Sequence, residues 1–267
     1  MLDPEWIAGF LVLGTFVGFM AGLLGIGGGG IMVPALTSIF LIQGVPLDSV
    51  VHLALGTSMA SIIATSLASL RAHHANGGVL WPVVRGMTPG IIVGTFVATF
   101  VAKYISSAQL AIFFALFMGA VSVQMFLNKK PKPSRELSGS AGLLAAGSGI
   151  GAISALVSIG GGSLTVPFLS WQNVEIRKAI GTSAAIGLPI SVAGTLGYLL
   201  NGWENSSPEN YTFGFIYLPA VLLISAASFF TAPLGARMVH RLPVPILKKI
   251  FAVLLVVLGV KMLFSVL

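Results

Sequence analysis

The chain has 267 residues, 56% of them hydrophobic and only 8% charged, with a mean hydropathy of +0.99. Soluble domains carry about 25% charged residues, so an ordinary water-soluble fold is excluded, and the length allows about eight to ten membrane-spanning helices. The absence of cysteine excludes disulfides and thiolate chemistry, and the net charge of +7 sits in short loops between apolar runs, which argues for bilayer orientation rather than nucleic-acid binding.

In chain order, the first apolar run covers residues 6–24. It follows Asp3 and Glu5 with no Lys or Arg and no small-residue cleavage site, so it is expected to stay in the mature chain as a helix. A short apolar stretch, 31–42, follows the glycine run Gly27, Gly28, Gly29 and Gly30. Long runs then cover 50–70, 79–102 and 108–127. A hydrophilic stretch, 128–140, divides the chain near its middle. Beyond it come a long run at 141–159, a short one at 164–171 after Gly160, Gly161 and Gly162, and long runs at 179–200, 213–235 and 246–267. The two short stretches fall below the length a helix needs to cross about 30 Å of hydrocarbon.

The chain repeats itself across the hydrophilic stretch. Ile26-Gly27-Gly28-Gly29-Gly30-Ile31-Met32-Val33-Pro34 matches Ile159-Gly160-Gly161-Gly162-Ser163-Leu164-Thr165-Val166-Pro167, 133 residues later. Ala54-Leu55-Gly56-Thr57-Ser58 matches Ala179-Ile180-Gly181-Thr182-Ser183, 125 residues later. The second half therefore has eight fewer residues between the two motifs. Placing the stretch with Lys129, Lys130, Lys132 and Arg135 in the cytoplasm puts twelve of the fourteen Lys and Arg near that face, leaving Lys103 and Lys261 near the other. Asp3, Glu5, Asp48, Glu204 and Glu209 then fall outside, as do both termini. The first half starts outside and the second inside. The expected fold is an all-α integral membrane protein of two inverted-topology repeats, 1–127 and 141–267, joined by a cytoplasmic basic linker, 128–140. Each repeat is a broken-helix hairpin followed by three transmembrane helices, a plan that recurs in secondary transporters.

The glycine runs should break their helices, because glycine costs helix stability. If the breaks sit at membrane depth, the short helices that follow present unbonded N–H groups and a positive dipole end to an anion. Gly27, Gly28, Gly29, Gly30, Gly160, Gly161 and Gly162 are therefore expected substrate-binding positions. The hydroxyls of Thr57, Ser58, Thr182, Ser183, Ser163 and Thr165 join them as hydrogen-bond donors, with Gln43 and Asn173 as weaker candidates. The competing readings are close helix packing for the glycines and carbonyl bonds one turn back for the hydroxyls. Isolated Gly-xxx-Gly pairs are read as packing.

Other signals point away from catalysis and cation transport. Gly25-x-Gly27-x-x-Gly30 fits a dinucleotide pattern but follows an apolar helix rather than a strand, and there is no phosphate-binding Gly-Lys-Ser/Thr and so no ATPase motor. No Asp or Glu falls inside a proposed span, where cation and proton carriers commonly place one. His52, His73, His74 and His240 all lie near segment ends, and Arg85 can snorkel to the surface. No metal site, cofactor or catalytic residue is expected. The expected partners are a small anionic substrate, the lipid bilayer and, where transport is ion-coupled, a coupling ion. The rivals are an anion channel and an intramembrane hydrolase using Ser58 or Ser163 with a histidine, which requires the two in hydrogen-bond reach.

The duplicated glycine-run-to-proline and Gly-Thr-Ser motifs, on either side of a basic linker, resemble the sulfite exporter TauE/SafE family over essentially the whole chain. The resemblance implies a multi-span permease of the inner (plasma) membrane that exports small sulfur-containing anions such as sulfite, sulfoacetate or other organosulfonates. It makes Gly27 to Gly30, Gly160 to Gly162, Thr57, Ser58, Thr182 and Ser183 the positions of interest. Gly30 pairs with Ser163 and His52-Leu53 with Arg177-Lys178, so a strictly symmetric site is not expected.

Overall fold

The computed structural model describes residues 3–24, 28–127, 136–238 and 244–267. Each expected apolar run contains a helix: α1 Pro4–Leu24, α2 Gly29–Ile42, α3 Leu47–Ala75, α4 Trp81–Ala102, α5 Ser107–Leu127, α6 Ser140–Val157, α7 Gly162–Trp171, α8 Ile176–Asn201, α9 Leu218–Met238 and α10 Val244–Val266. Eight of these are long and apolar enough to cross a membrane; α2 and α7, with 14 and 10 residues, are the short ones. Val12, Leu116, Leu222, Phe230 and Phe264 lie on the outer surface at 62–78% exposure. Apolar groups this exposed, on helix after helix, are solvated by hydrocarbon rather than water.

One turn ends both short helices. After α2, Gly44 adopts φ 83° and Val45 N–H donates to the Phe40 carbonyl at 2.9 Å; after α7, Asn173 adopts φ 60° and Val174 N–H donates to Leu169 at 3.0 Å. This is the left-handed C-terminal stop that Gly and Asn tolerate best. It also accounts for the eight missing residues. Phe40 and Leu169 close equivalent turns, so α7 is four residues shorter; Thr57 lies eleven residues after Pro46, but Thr182 only seven after Glu175. Each deletion is about one helical turn, which leaves the same face of each helix toward its neighbours.

The long helices pack through glycine. Along α1, a β-carbon at Gly14, Gly18 or Gly22 would strike Ile224, Ser228 or Ala232 of α9, so the two helices run parallel with their backbones nearly touching. Gly90 and Gly94 of α4 meet Leu144 and Ser148 of α6, and Gly147 and Gly151 of α6 meet Met87 and Ile91 of α4. The Gly-xxx-Gly pairs are thus packing surfaces, where small residues let dispersion and weak polar contacts act at short range. The most enclosed helix is α3, packed on α2, α5, α8 and α9. Tyr198 of α8 is fully enclosed and its hydroxyl donates at 2.9 Å to the Ala155 carbonyl of α6. Tyr198→Phe should cost about 1 kcal/mol, read as a thermal midpoint a few degrees lower with unchanged helix content.

The apolar run expected at 213–235 is divided. Thr212–Phe213 and Ile216–Tyr217 pair as a two-stranded antiparallel hairpin, and α9 starts only at Leu218. Gly214, at φ 57°, is the first central residue of the tight turn, which favours glycine there. A β-carbon on it would collide with the Leu199 carbonyl, and Phe215 N–H donates to the Tyr198 carbonyl at 3.3 Å. These residues are apolar because they wedge between α3 and α8, not because they span lipid. The hairpin, the α2–α3 turn and the junction of α4 with α5 share one end of the bundle, the hairpin end. The α3–α4 turn, the start of α6, the end of α7 and the start of α8 share the other, the linker end.

Candidate functional site: the two helix breaks

Gly28 and Gly161, matched positions in the repeat, carry the same backbone conformation. Gly28 (φ 73°) caps the start of α2 and Gly161 (φ 81°) the start of α7, neither with a side-chain cap bond. Their carbonyls take the first helical N–H groups: Ile31 and Met32 donate to Gly28, and Leu164 and Thr165 to Gly161. The N–H groups of Gly29, Gly30, Gly162 and Ser163 have no backbone acceptor among the described residues, as expected in a first helical turn. Pro34 and Pro167 lack the N–H that would bond the carbonyls of Gly30 and Ser163. Among the described residues, the first N–H groups of each short helix thus have no backbone acceptor, and they stand at its positive dipole end. Gly27 lies outside the described residues, as do His240 and the linker cations Lys129, Lys130, Lys132 and Arg135.

The breaks lie at mid-height. A β-carbon on Gly29 would fall on the Ser158 carbonyl and 3.4 Å from Ile62 Cδ1. One on Gly187 would lie 2.8 Å from the Gly160 carbonyl and 2.9 Å from Ser66 Oγ. Ile62 is the sixteenth of 29 residues in α3, and Gly187 the twelfth of 26 in α8. The two interruptions therefore meet beside the centres of the two innermost long helices. Ser158, the residue that joins them, was not among the sequence candidates. It ends α6 in the left-handed region (φ 50°) and its hydroxyl donates to the Leu55 carbonyl at 3.3 Å. One signal was available: Ser158 occupies the repeat position of Gly25, where left-handed backbone is easily reached.

The hydroxyl candidates separate into three groups. Ser58, Ser163 and Thr165 carry buried side-chain oxygens with no hydrogen-bond partner among the described residues. Ser163 and Thr165 belong to the second break itself. Ser58 lies one turn before Ile62, on the face of α3 that meets Gly29. Ser183 takes the local alternative and donates to the Ile180 carbonyl at 2.8 Å. Thr57 and Thr182 face the loops instead: Thr57 Oγ1 accepts the Tyr217 N–H at 3.0 Å, and Thr182 Oγ1 the Leu80 N–H at 2.9 Å.

The remaining candidates stand apart from the breaks. Gln43 lines a cavity of about 460 Å³ at the hairpin end, with Phe40, Glu209, Phe215 and Tyr217. Partial burial holds the Tyr217 hydroxyl above its ordinary pKa, so it stays protonated and neutral. Asn173 forms the α7 stop, and Arg85 is exposed on the second turn of α4. His52 is buried near the hairpin end, its Nε2 2.9 Å from the Ala102 carbonyl and its ring 5.1 Å from that of Phe215. His74 accepts the Trp81 indole N–H at 3.3 Å near the linker end. No described histidine hydrogen-bonds Ser58 or Ser163, which a hydrolase would need to activate a serine nucleophile.

The sequence profile of the sulfite exporter TauE/SafE family matches residues 10–262. A protein named "Probable membrane transporter protein" from Haemophilus influenzae is 38% identical over 94% of this chain and 96% of its own. Proteins of the same description from Methanocaldococcus jannaschii and Bacillus subtilis are 27% and 26% identical, over 95% and 96% of this chain and 94% and 96% of theirs. No solved structure matches the chain. With eight membrane-length helices, two paired helix breaks and a family match along almost its whole length, the chain belongs to the sulfite exporter TauE/SafE family, among membrane transporters rather than enzymes.

Proposed function

We propose that the protein is a secondary transporter, working as an exporter, of small sulfur-containing anions such as sulfite, sulfoacetate or other organosulfonates. The observation that carries this reading is the meeting of two glycine-capped helix starts at mid-height, each with N–H groups that have no backbone acceptor among the described residues. Gly28, Gly29 and Gly30 with Gly160, Gly161, Gly162 and Ser163 cradle the anionic head, and Gly27 extends the first run. Ser58 and Thr165 supply hydroxyl protons, with Thr57, Thr182 and Ser183 in the adjoining turns. Dipoles and neutral donors at this depth favour an anion without the cost of burying a fixed cation.

Alternating access follows from reading residues 1–127 and 141–267 as inverted repeats about the linker 128–140. The packing supports it, because exchanging the halves leaves the most extensive helix pairs unchanged. Helix α1 lies on α9 as α6 lies on α4; α3 meets α9 as α8 meets α4; α3–α8 and α5–α10 pair with their own counterparts. The hairpin end faces outward and the linker end, with Arg71, Arg177, Lys178 and Arg237, faces the cytoplasm of the inner (plasma) membrane. Rocking of one half against the other would then expose the junction to each side in turn.

The test is a thermal-shift titration of the purified protein with sulfite, sulfoacetate, taurine, sulfate and acetate. A cognate sulfite or sulfonate at one hundred times its Kd should stabilise by about 2.7 kcal/mol, saturably, while acetate does not. Gly28→Ala, which must place a side chain at φ 73° against Val17, should abolish the shift. A folded protein that responds to none of these anions overturns the substrate class. Flux that grows without saturation in proteoliposomes would instead indicate a channel.

A further inference from the structure

The two Gly-Thr-Ser motifs do the same thing at opposite ends of the bundle. At the hairpin end, Gly56 leaves room for the Phe215 carbonyl, onto which its β-carbon would fall, while Thr57 Oγ1 accepts the N–H of Tyr217 two residues on. At the linker end, Gly181 leaves the same room for the Gly78 carbonyl, and Thr182 Oγ1 accepts the N–H of Leu80, again two residues on. The gripped segments are equivalent: residues 215–217 lead directly into α9, and residues 78–80 directly into α4. In both cases a helix of one half grips the entry to a helix of the other. Thr57 and Thr182 are both fully buried.

We propose that Thr57 and Thr182 are paired latches, positioning residues that hold the hairpin-end and linker-end closures shut, and that transport releases them one at a time. Both latches are closed in this structure. Above the first, Tyr217 packs edge-on to Phe40 at 5.6 Å and tilts against Phe10 at 6.2 Å, forming the floor of the 460 Å³ cavity. Release of Thr57 frees that floor and opens the hairpin end toward the breaks. Behind the second, Gly78 N–H donates to the His73 carbonyl at 2.9 Å, so the latched segment also closes the end of α3. Release of Thr182 frees the start of α4 at the linker end. The proposal rests on the alternating-access reading above and assigns it two specific bonds.

The natural absence of cysteine makes the experiment direct. Single cysteines replace Ala54 or Ala179, matched buried positions one turn before each threonine on the same face. Their reaction with a membrane-impermeant maleimide is timed in detergent, where both ends are accessible. Thr57→Val, which keeps the shape but loses the acceptor, should speed labelling at position 54 about fivefold, as expected for one lost hydrogen bond, and leave position 179 unchanged. Thr182→Val should do the reverse. Thr57→Ser and Thr182→Ser keep the oxygen and should restore the parental rates. If Thr57→Val does not accumulate as monodisperse protein, Gly56→Ala displaces the same carbonyl and must give the same pattern. Equal changes at both positions, or none, overturn the latches. Because labelling needs no substrate, that failure would leave saturable anion transport standing, whereas end-specific labelling in a protein that transports no anion would keep the latches and remove the transport reading.

Discussion

Gly29→Ala is expected to eliminate transport and to lower the thermal midpoint, although it adds only one methyl group. That methyl lands on the Ser158 carbonyl, a backbone atom held by the end of α6 and by the Ser158–Leu55 hydrogen bond. A backbone obstacle cannot rotate away, so the two breaks must part. Overpacking of this kind costs about 1–3 kcal/mol. The neighbouring substitution serves as the control. A β-carbon at Gly30 meets the Leu255 and Met118 side chains at 2.9 and 3.2 Å, and flexible side chains can yield. Substrate flux and thermal midpoint measured for both variants should place Gly29→Ala far below Gly30→Ala. Equal behaviour would mean that the contact between the breaks is not what the glycine run preserves.

The second large effect is expected along α1. Gly22→Ala puts a methyl onto the Ala232 carbonyl of α9, and Gly235→Ala on the facing helix does the same to the Phe19 carbonyl. Either should cost about 1–3 kcal/mol and lower the yield of folded protein in membranes. Gly9, in the same helix, has nothing within 4 Å of its β-carbon position. Gly9→Ala should therefore be neutral or stabilising by up to about 1 kcal/mol, the helix preference of alanine over glycine. Thermal unfolding of the three variants in one detergent checks this. A Gly9→Ala loss as large as that of Gly22→Ala would show that glycine is needed in α1 for something other than contact with α9.

The sequence gives Thr57 and Ser58 one reading, and the structure gives them different neighbours. Thr57 and Ser58 are adjacent, and nothing local distinguishes which one faces the helix break. They project about 100° apart on α3. That rotation brings Thr57 to the Tyr217 amide and Ser58 toward Gly29. Residues 213–217 form a hairpin rather than the start of a span for a related reason. Hydropathy records that a segment avoids water, and a hairpin wedged between α3 and α8 avoids water as fully as a span in lipid does.

What the sequence determined by itself is the set of features whose physics is local. These are the helices, because some twenty consecutive apolar residues must satisfy their own backbone in hydrocarbon; the breaks, because consecutive glycines ahead of a proline do not continue a helix; and the duplication, because it is a comparison of residues with residues. The tertiary structure alone decided that the breaks meet at mid-height, that Ser158 joins them, and that Thr57 and Thr182 hold loops 160 and 102 positions away. Each of those is a contact between distant parts of the chain. Its partner depends on how the helices pack and rotate against one another, which no short stretch of residues contains.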